Sequence, residues 1–161
     1  MPIVNNVTRL LDSRKIPYTA YELPPEKLGA LETARLLDVD PAAVYKTIVV
    51  TGEKPKKPLL VLIPGPNQVD LKALAAFLGE KKVHLPTERE AEQLTGLQTG
   101  GISPLALLNK GFQVVLDTAA REHSEIHVSG GQRGLNICLP VDALIRLTNA
   151  RIGRFSVPER A

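Results

Sequence analysis

The sequence contains no tryptophan, three tyrosines and three phenylalanines. Proteins that grip single-stranded RNA through its bases stack them on exposed rings, and this chain has few to offer. Any nucleic acid it binds is therefore expected to be held by its backbone or by a group attached to its end. A single cysteine, Cys138, rules out an internal disulfide framework and fits a reducing compartment. Long apolar runs are missing: the longest wholly aliphatic stretch, Leu59 to Ile63, falls far short of the ~20 residues that span a bilayer. The opening MPIVNNVTRLLDSRK lacks the apolar core and small-residue cleavage site of a secretory leader, so a cytoplasmic location is expected. No G-x-G-x-x-G or Walker A pattern occurs where a strand would meet a helix, which disfavours a Rossmann-type nucleotide site.

The remaining composition is that of an ordinary globular protein. Of 161 residues, 43% are hydrophobic and 23% charged, enough for one domain spanning 1–161 with its own core and no staple. A net charge of +3 and a pI near 9.1 permit contact with phosphates without requiring it. The basic clusters Lys54/Lys56/Lys57 and Lys81/Lys82 read as solvated faces or as phosphate contacts at a rim.

Hydrophobic spacing and caps predict a mixed set of elements. Val7, Leu10 and Leu11 form a helical stripe capped by Asn5 or Asn6, ended by Pro17, and Tyr18 to Leu23 alternates as a strand. A Pro24-Pro25 loop leads to a helix over 30–37, and Asp40-Pro41 caps a short turn. Val44 to Thr51 is β-branched and reads as a central strand, joined through the turn Lys54 to Pro58 to its partner Leu59 to Ile63. Asp70 caps a helix that Gly79 stops, Lys81 to Leu85 is a short strand, and Thr87 with Glu90 forms a capping box before Gly96. Phe112 to Asp117 is a buried strand. Glu125 to Ser129 and Leu135 to Leu139 flank the turn Gly130-Gly131-Gln132-Arg133-Gly134. Pro140 opens a last helix, and Ile152 to Val157 reads as one edge strand. Without strict βαβ alternation the class is α+β, with a mixed, mostly antiparallel sheet.

His123 and His127 have a spacing that converges on a metal only within a helix. On a strand they would lie roughly 13 Å apart, and one cysteine offers no thiolate cluster, so no metal is expected. Ser103 lies outside any G-x-S-x-G elbow. It reads as a loop hydroxyl bonded to nearby backbone or as a substrate contact that does not attack. Cys138 alternates with an inward Ile137 and lacks a base partner, which favours an inert thiol.

Lys46 stands out because it interrupts the apolar segment Val44 to Val50. Either period-two alternation turns it to water, or it is a partly buried cation that holds an anion or a polarised carbonyl. Gly100-Gly101 and Gly130-Gly131 are turns, or sites where consecutive backbone N–H groups can approach an oxyanion.

Three motifs, VYKT (Val44 to Thr47), TGGISPL (Thr99 to Leu105) and SGGQRGL (Ser129 to Leu135), resemble those of the YbaK/EbsC family. Members are free-standing aminoacyl-tRNA deacylases related to the editing domain of prolyl-tRNA synthetase. The resemblance runs from the first helix to about Leu147 and implies a compact fold around a barrel-like sheet with flanking helices. It also implies removal of cysteine mischarged onto tRNA(Pro) or carried by tRNA(Cys), with no cofactor and no protein nucleophile. Lys46 takes the place of the family lysine as the catalytic residue. Tyr21, Thr47, Gly100, Gly101, Ile102, Ser103, Pro104, Ser129, Gly130, Gly131 and Asn136 take the substrate-binding places. Implied partners are the aminoacyl 3′ end of tRNA and a prolyl-tRNA synthetase. Ala106-Leu107-Leu108 stands where many relatives carry glycine and a basic pair, and Asn136 stands where some carry an acid. A deacylase for another small amino acid such as alanine, or a non-catalytic module that binds tRNA or the synthetase, are the rival readings. Scarce aromatics predict tRNA binding that weakens steeply with salt and varies little with tRNA sequence, checked by filter binding across a salt series.

Overall fold

A computed structural model describes residues 3–53 and 57–159. The expected turn at Lys54 to Pro58 therefore falls largely outside the described residues, because Lys54, Pro55 and Lys56 do. In chain order the elements are α1 (Asn6–Ser13), β1 (Thr19–Glu22), α2 (Ala30–Leu37), β2 (Tyr45–Gly52), β3 (Leu59–Pro64), β4 (Asn67–Val69), α3 (Leu71–Leu78), β5 (Val83–His84), α4 (Glu88–Thr95), β6 (Gln113–Asp117), β7 (Glu125–Ser129), β8 (Leu135–Pro140), α5 (Val141–Thr148), β9 (Arg151–Gly153) and β10 (Ser156–Pro158). Short 3₁₀ turns lie at Pro41–Ala43 and Thr118–Glu122. No described helix is long and apolar enough to cross a membrane.

The helices end where local chemistry dictates. Asn5 caps α1 in a reciprocal box with Thr8, and Thr87 does the same for α4 with Glu90. Asp70 caps α3, which stops at Gly79 in the left-handed conformation. The Asn5 amide also donates to Gly130 O at 3.0 Å, so the first helix cap pins a turn more than a hundred residues away.

One sheet has the order β5-β2-β3-β6-β9 and another β1-β8-β7, while β10 pairs with β4. Pairing is antiparallel except for β3 with β6 and β6 with β9. A parallel bridge from Val44 to His127 joins the two larger sheets into a curved wall. The wall stays open, with β1 and β9 as its outer strands. The α+β class with a mixed sheet and flanking helices stands.

Alternation along β2 divides the interior. Tyr45 and Val49 enter a core shared with Val7 and Leu11 of α1 and Ile126, Ile137 and Leu139 of the β7–β8 hairpin. Val50 enters a second core with Leu74 of α3 and Phe155. Each face of β2 is thus claimed by a different helix layer.

The C-terminal segment corrects the sequence reading. Ile152 to Val157 is two strands in two sheets, because the ring of Phe155 turns into the second core with no exposed surface. Asp117 holds that bend. Its Oδ2 accepts from Phe155 N–H at 3.3 Å and from the Ser156 hydroxyl at 2.8 Å, and its Oδ1 accepts from Ala119 N–H at 3.0 Å. Strand β4 and the 3₁₀ turn after β6 carried no clear sequence signal, and the expected strand Lys81 to Leu85 shortens to Val83–His84. Asp117→Ala would leave three donors without their acceptor, so it is expected to cost about 2–4 kcal/mol in urea unfolding. Ser156→Ala, which removes one of the bonds, is expected to cost about 1 kcal/mol.

Candidate functional site

Strand β2 is paired with β3 from Tyr45 to Val50, but on its other edge only at its ends. Val44 bridges to His127, and Thr51 and Gly52 pair with β5. Between them no described strand covers the edge. Val44 O accepts from Gly65 N–H at 2.8 Å on the β3 side. By the alternation of an antiparallel ladder, the N–H and C=O of Thr47 and Val49 then face the uncovered edge.

A cleft of about 420 Å³ opens along this edge. Three pieces of chain wall it: the stretch from Leu23 to Thr33, the entry to α4 from Leu85 to Ala91, and the glycine loop with the β7–β8 hairpin. Lys27 and Glu88, from the first two pieces, form an exposed ion pair at the rim.

Lys46 lines the cleft with 27% of its side chain exposed, which agrees with the partly buried one of its two sequence readings. Its Nζ lies 3.6 Å from Glu159 Oε2. Glu159 is placed there because β10 pairs with β4 and Glu159 N–H then donates to Pro66 O at 2.9 Å.

Of the other expected site residues, Thr47, Gly100, Ile102, Ser129 and Asn136 line the cleft. Gly101, Ser103 and Pro104 lie behind the lining. A Cβ on Gly101 would fall 2.8 Å from Gln132 Cα, so this glycine serves close packing between loop and hairpin. Its N–H donates to Gln98 O at 2.8 Å, while Gly100 and Ile102 N–H make no backbone bond among the described residues. Ser103 is fully buried, and its Oγ accepts from Leu105 N–H at 3.1 Å, the local backbone role. Gly130 N–H is bonded to Leu135 O and Gly131 N–H to Ser129 Oγ. Those two amides are committed within the turn and offer no free donor to an anion. Arg133 braces the loop by donating from Nε to Thr99 O at 2.8 Å.

Tyr21 lies outside the lining and packs its ring 5.6 Å from that of His127. Sequence sets His127 aside only as a metal ligand; in the structure it is buried and its Nδ1 lies 2.8 Å from Asn136 Oδ1. The β7–β8 register, with His127 opposite Cys138 and Ser129 opposite Asn136, was the available signal. Polar residues at alternate positions of both hairpin strands fall on one face.

Among the described residues no three metal-ligating side chains gather, and the cleft lining includes neither histidine nor cysteine. Burial, helped by Glu125, pushes the Cys138 thiol up to about 11 and keeps it protonated at neutral pH. Two buried hydroxyls, those of Tyr45 and Thr47, have no hydrogen-bond partner among the described residues, and both residues line the cleft. Burial also drives the ionisation of Tyr45 far above the ordinary phenol range.

Comparison with known proteins places this geometry. The family model for the aminoacyl-tRNA editing domain matches residues 25–147. The chain is 35% identical over 156 residues to EbsC of Enterococcus faecalis, a protein named for Cys-tRNA(Pro)/Cys-tRNA(Cys) deacylase activity, covering 96% of this chain and 94% of that one. It is 34% identical over 71 residues to proline–tRNA ligase of Aquifex aeolicus, covering 44% of this chain and 12% of the ligase. The crystal structure of hypothetical protein APE2540 superposes with a TM-score of 0.86 at 23% identity, over 95% of this chain and all of that one, a likeness of fold.

The two orphan hydroxyls separate stability from binding. Tyr45→Phe and Thr47→Val are each expected to leave stability unchanged or raise it by up to about 1 kcal/mol in urea unfolding, because each removes an unpaired buried polar atom.

Proposed function

The chain belongs to the aminoacyl-tRNA editing domain family, and we propose that it is a free-standing deacylase that clears cysteine from mischarged tRNA(Pro). The observation that carries this reading is a partly buried lysine in a cleft that lacks histidine and cysteine. Such a site suits a reaction in which the substrate supplies the nucleophile. A cleft of about 420 Å³ accommodates a terminal aminoacyl-ribose and is far too small for a tRNA stem.

In this reading the substrate's thiol attacks its own ester carbonyl. The C–S bond forms, the bond from the carbonyl carbon to the tRNA 3′ oxygen breaks, and the thiol proton passes to that oxygen. A cyclic thiolactone and free tRNA leave. Lys46 and the free N–H groups of Gly100 and Ile102 stabilise charge developing on the carbonyl oxygen, while Thr47 and Ser129 orient the aminoacyl group. Lys27 and neighbouring basic residues meet phosphates of the 3′ end. The resemblance to a segment of proline–tRNA ligase supports a prolyl-tRNA synthetase as the partner that supplies tRNA identity. The work is done in the cytoplasm, without a cofactor.

The test is ester loss from labelled cysteinyl-, alanyl- and prolyl-tRNA(Pro). Cysteinyl-tRNA(Pro) is expected to be cleaved fastest, with Lys46→Ala lowering kcat/KM by about 10²–10³-fold. Cleavage of alanyl-tRNA instead would keep the enzyme and remove substrate-thiol attack. No ester lost faster than in buffer would leave a binding module.

A further inference from the structure

We infer that His127 is a positioning residue that fixes the polarity of Asn136, so that the cleft wall presents a hydrogen-bond donor to an acceptor oxygen of the bound aminoacyl-ribose. The inference deepens the deacylase reading and rests on the cleft being the editing site.

The hairpin register puts the two side chains on one face of β7–β8, and both are 6% exposed. Tyr21, opposite Asn136 on β1, lays its ring against His127. His127 Nδ1 and Asn136 Oδ1 are 2.8 Å apart. A carboxamide oxygen can only accept, so Nδ1 carries the proton and donates. That bond ties the oxygen of Asn136 to the histidine and leaves its amide nitrogen as the other end of a fixed dipole. Asn136 lines the cleft and His127 does not. The Asn136 nitrogen makes no hydrogen bond among the described residues, and it is not sealed from the cleft.

The chemical consequence concerns what position 136 can recognise. A protonated α-amine brings only donors and finds no partner in an amide nitrogen. An ester carbonyl or a ribose hydroxyl brings an acceptor and does. His127 acts at one remove: with its donor gone, the amide of Asn136 is free to rotate and offer its oxygen instead.

The first measurement reads the proton directly. Long-range ¹H–¹⁵N spectra of the wild-type protein are expected to show a proton on His127 Nδ1, and a bare Nδ1 would overturn the inference whether or not any ester is cleaved. The second uses the cysteinyl-tRNA(Pro) assay, where wild-type cleavage first establishes the activity. His127→Phe keeps the ring but removes the donor, and should lower kcat/KM about three- to tenfold. His127→Asn restores an N–H donor at the place of Nδ1 and should recover to within about twofold. In an Asn136→Ala background His127→Phe should have no further effect, an outcome that loss of packing alone would not produce. Equal losses in His127→Phe and His127→Asn, or an undiminished effect of His127→Phe in the Asn136→Ala background, would overturn the inference. A substrate ending in 2′-deoxyadenosine separates the two acceptors: a penalty that vanishes in Asn136→Ala assigns the donor to the ribose hydroxyl, and a penalty unaffected by that change assigns it to the carbonyl.

Discussion

The half-covered edge of β2 is the constraint on which the site depends. A strand in the middle of a sheet ordinarily satisfies both rows of its backbone groups. Here one row is satisfied by β3 as far as Val50, and the other is pinned only at Val44 and at Thr51–Gly52. The pins matter as much as the gap. The Val44–His127 bridge fixes the β7–β8 hairpin against the strand that carries Lys46, so groups distant in sequence face one cleft. Gly65 permits the close approach on the opposite side, since a Cβ there would fall 2.8 Å from Ala30 Cβ and 3.0 Å from Val44 O.

The C-terminal segment couples the second core to the chemistry. Asp117 and the buried ring of Phe155 fix the bend between β9 and β10. The pairing of β10 with β4 then delivers Glu159 to Lys46. Glu159 is 53% exposed, and an ion pair of that kind contributes little net stability. On the proposed reading, a developing negative charge on the substrate could replace the carboxylate at small cost, with the lysine held in place until then.

Local chemistry made much of this legible. Caps at Asn5, Asp70 and Thr87 act within a few residues, so the helices they open could be read directly. The partial burial of Lys46 was one of two readings open from sequence, because an ammonium in an apolar strand either turns to water or enters a cleft. The glycine pairs were read only in part. Sequence suggested exposed amides, yet Gly130 is needed because a Cβ would fall 2.5 Å from the Leu135 side chain, and Gly101 because of the Gln132 backbone. Both are demands of packing between distant segments, which a local pattern does not display. The same holds for the walls from Leu23 to Thr33 and Leu85 to Ala91, whose residues look like ordinary loop and cap. It holds also for His127, whose partner is set by hairpin register, and for the split of β9 from β10, which follows from where Phe155 can be buried.

On the proposed reading, a cleft whose lining includes neither histidine nor cysteine places selectivity in the reaction as well as in binding. Shape alone separates amino acids that differ by one small group poorly, by about 1–3 kcal/mol. A site that, as proposed, holds an ester beside a cation and two amides adds a different filter, because in that reaction only an aminoacyl group carrying a reactive side chain can use the arrangement. Alanine fits the same space and has nothing with which to attack; serine offers a hydroxyl that is far less ionised than a thiol. The protein then has to supply position and charge, not a base. Those are the roles the proposed reaction assigns to the uncovered strand edge, the braced glycine loop and the pinned lysine.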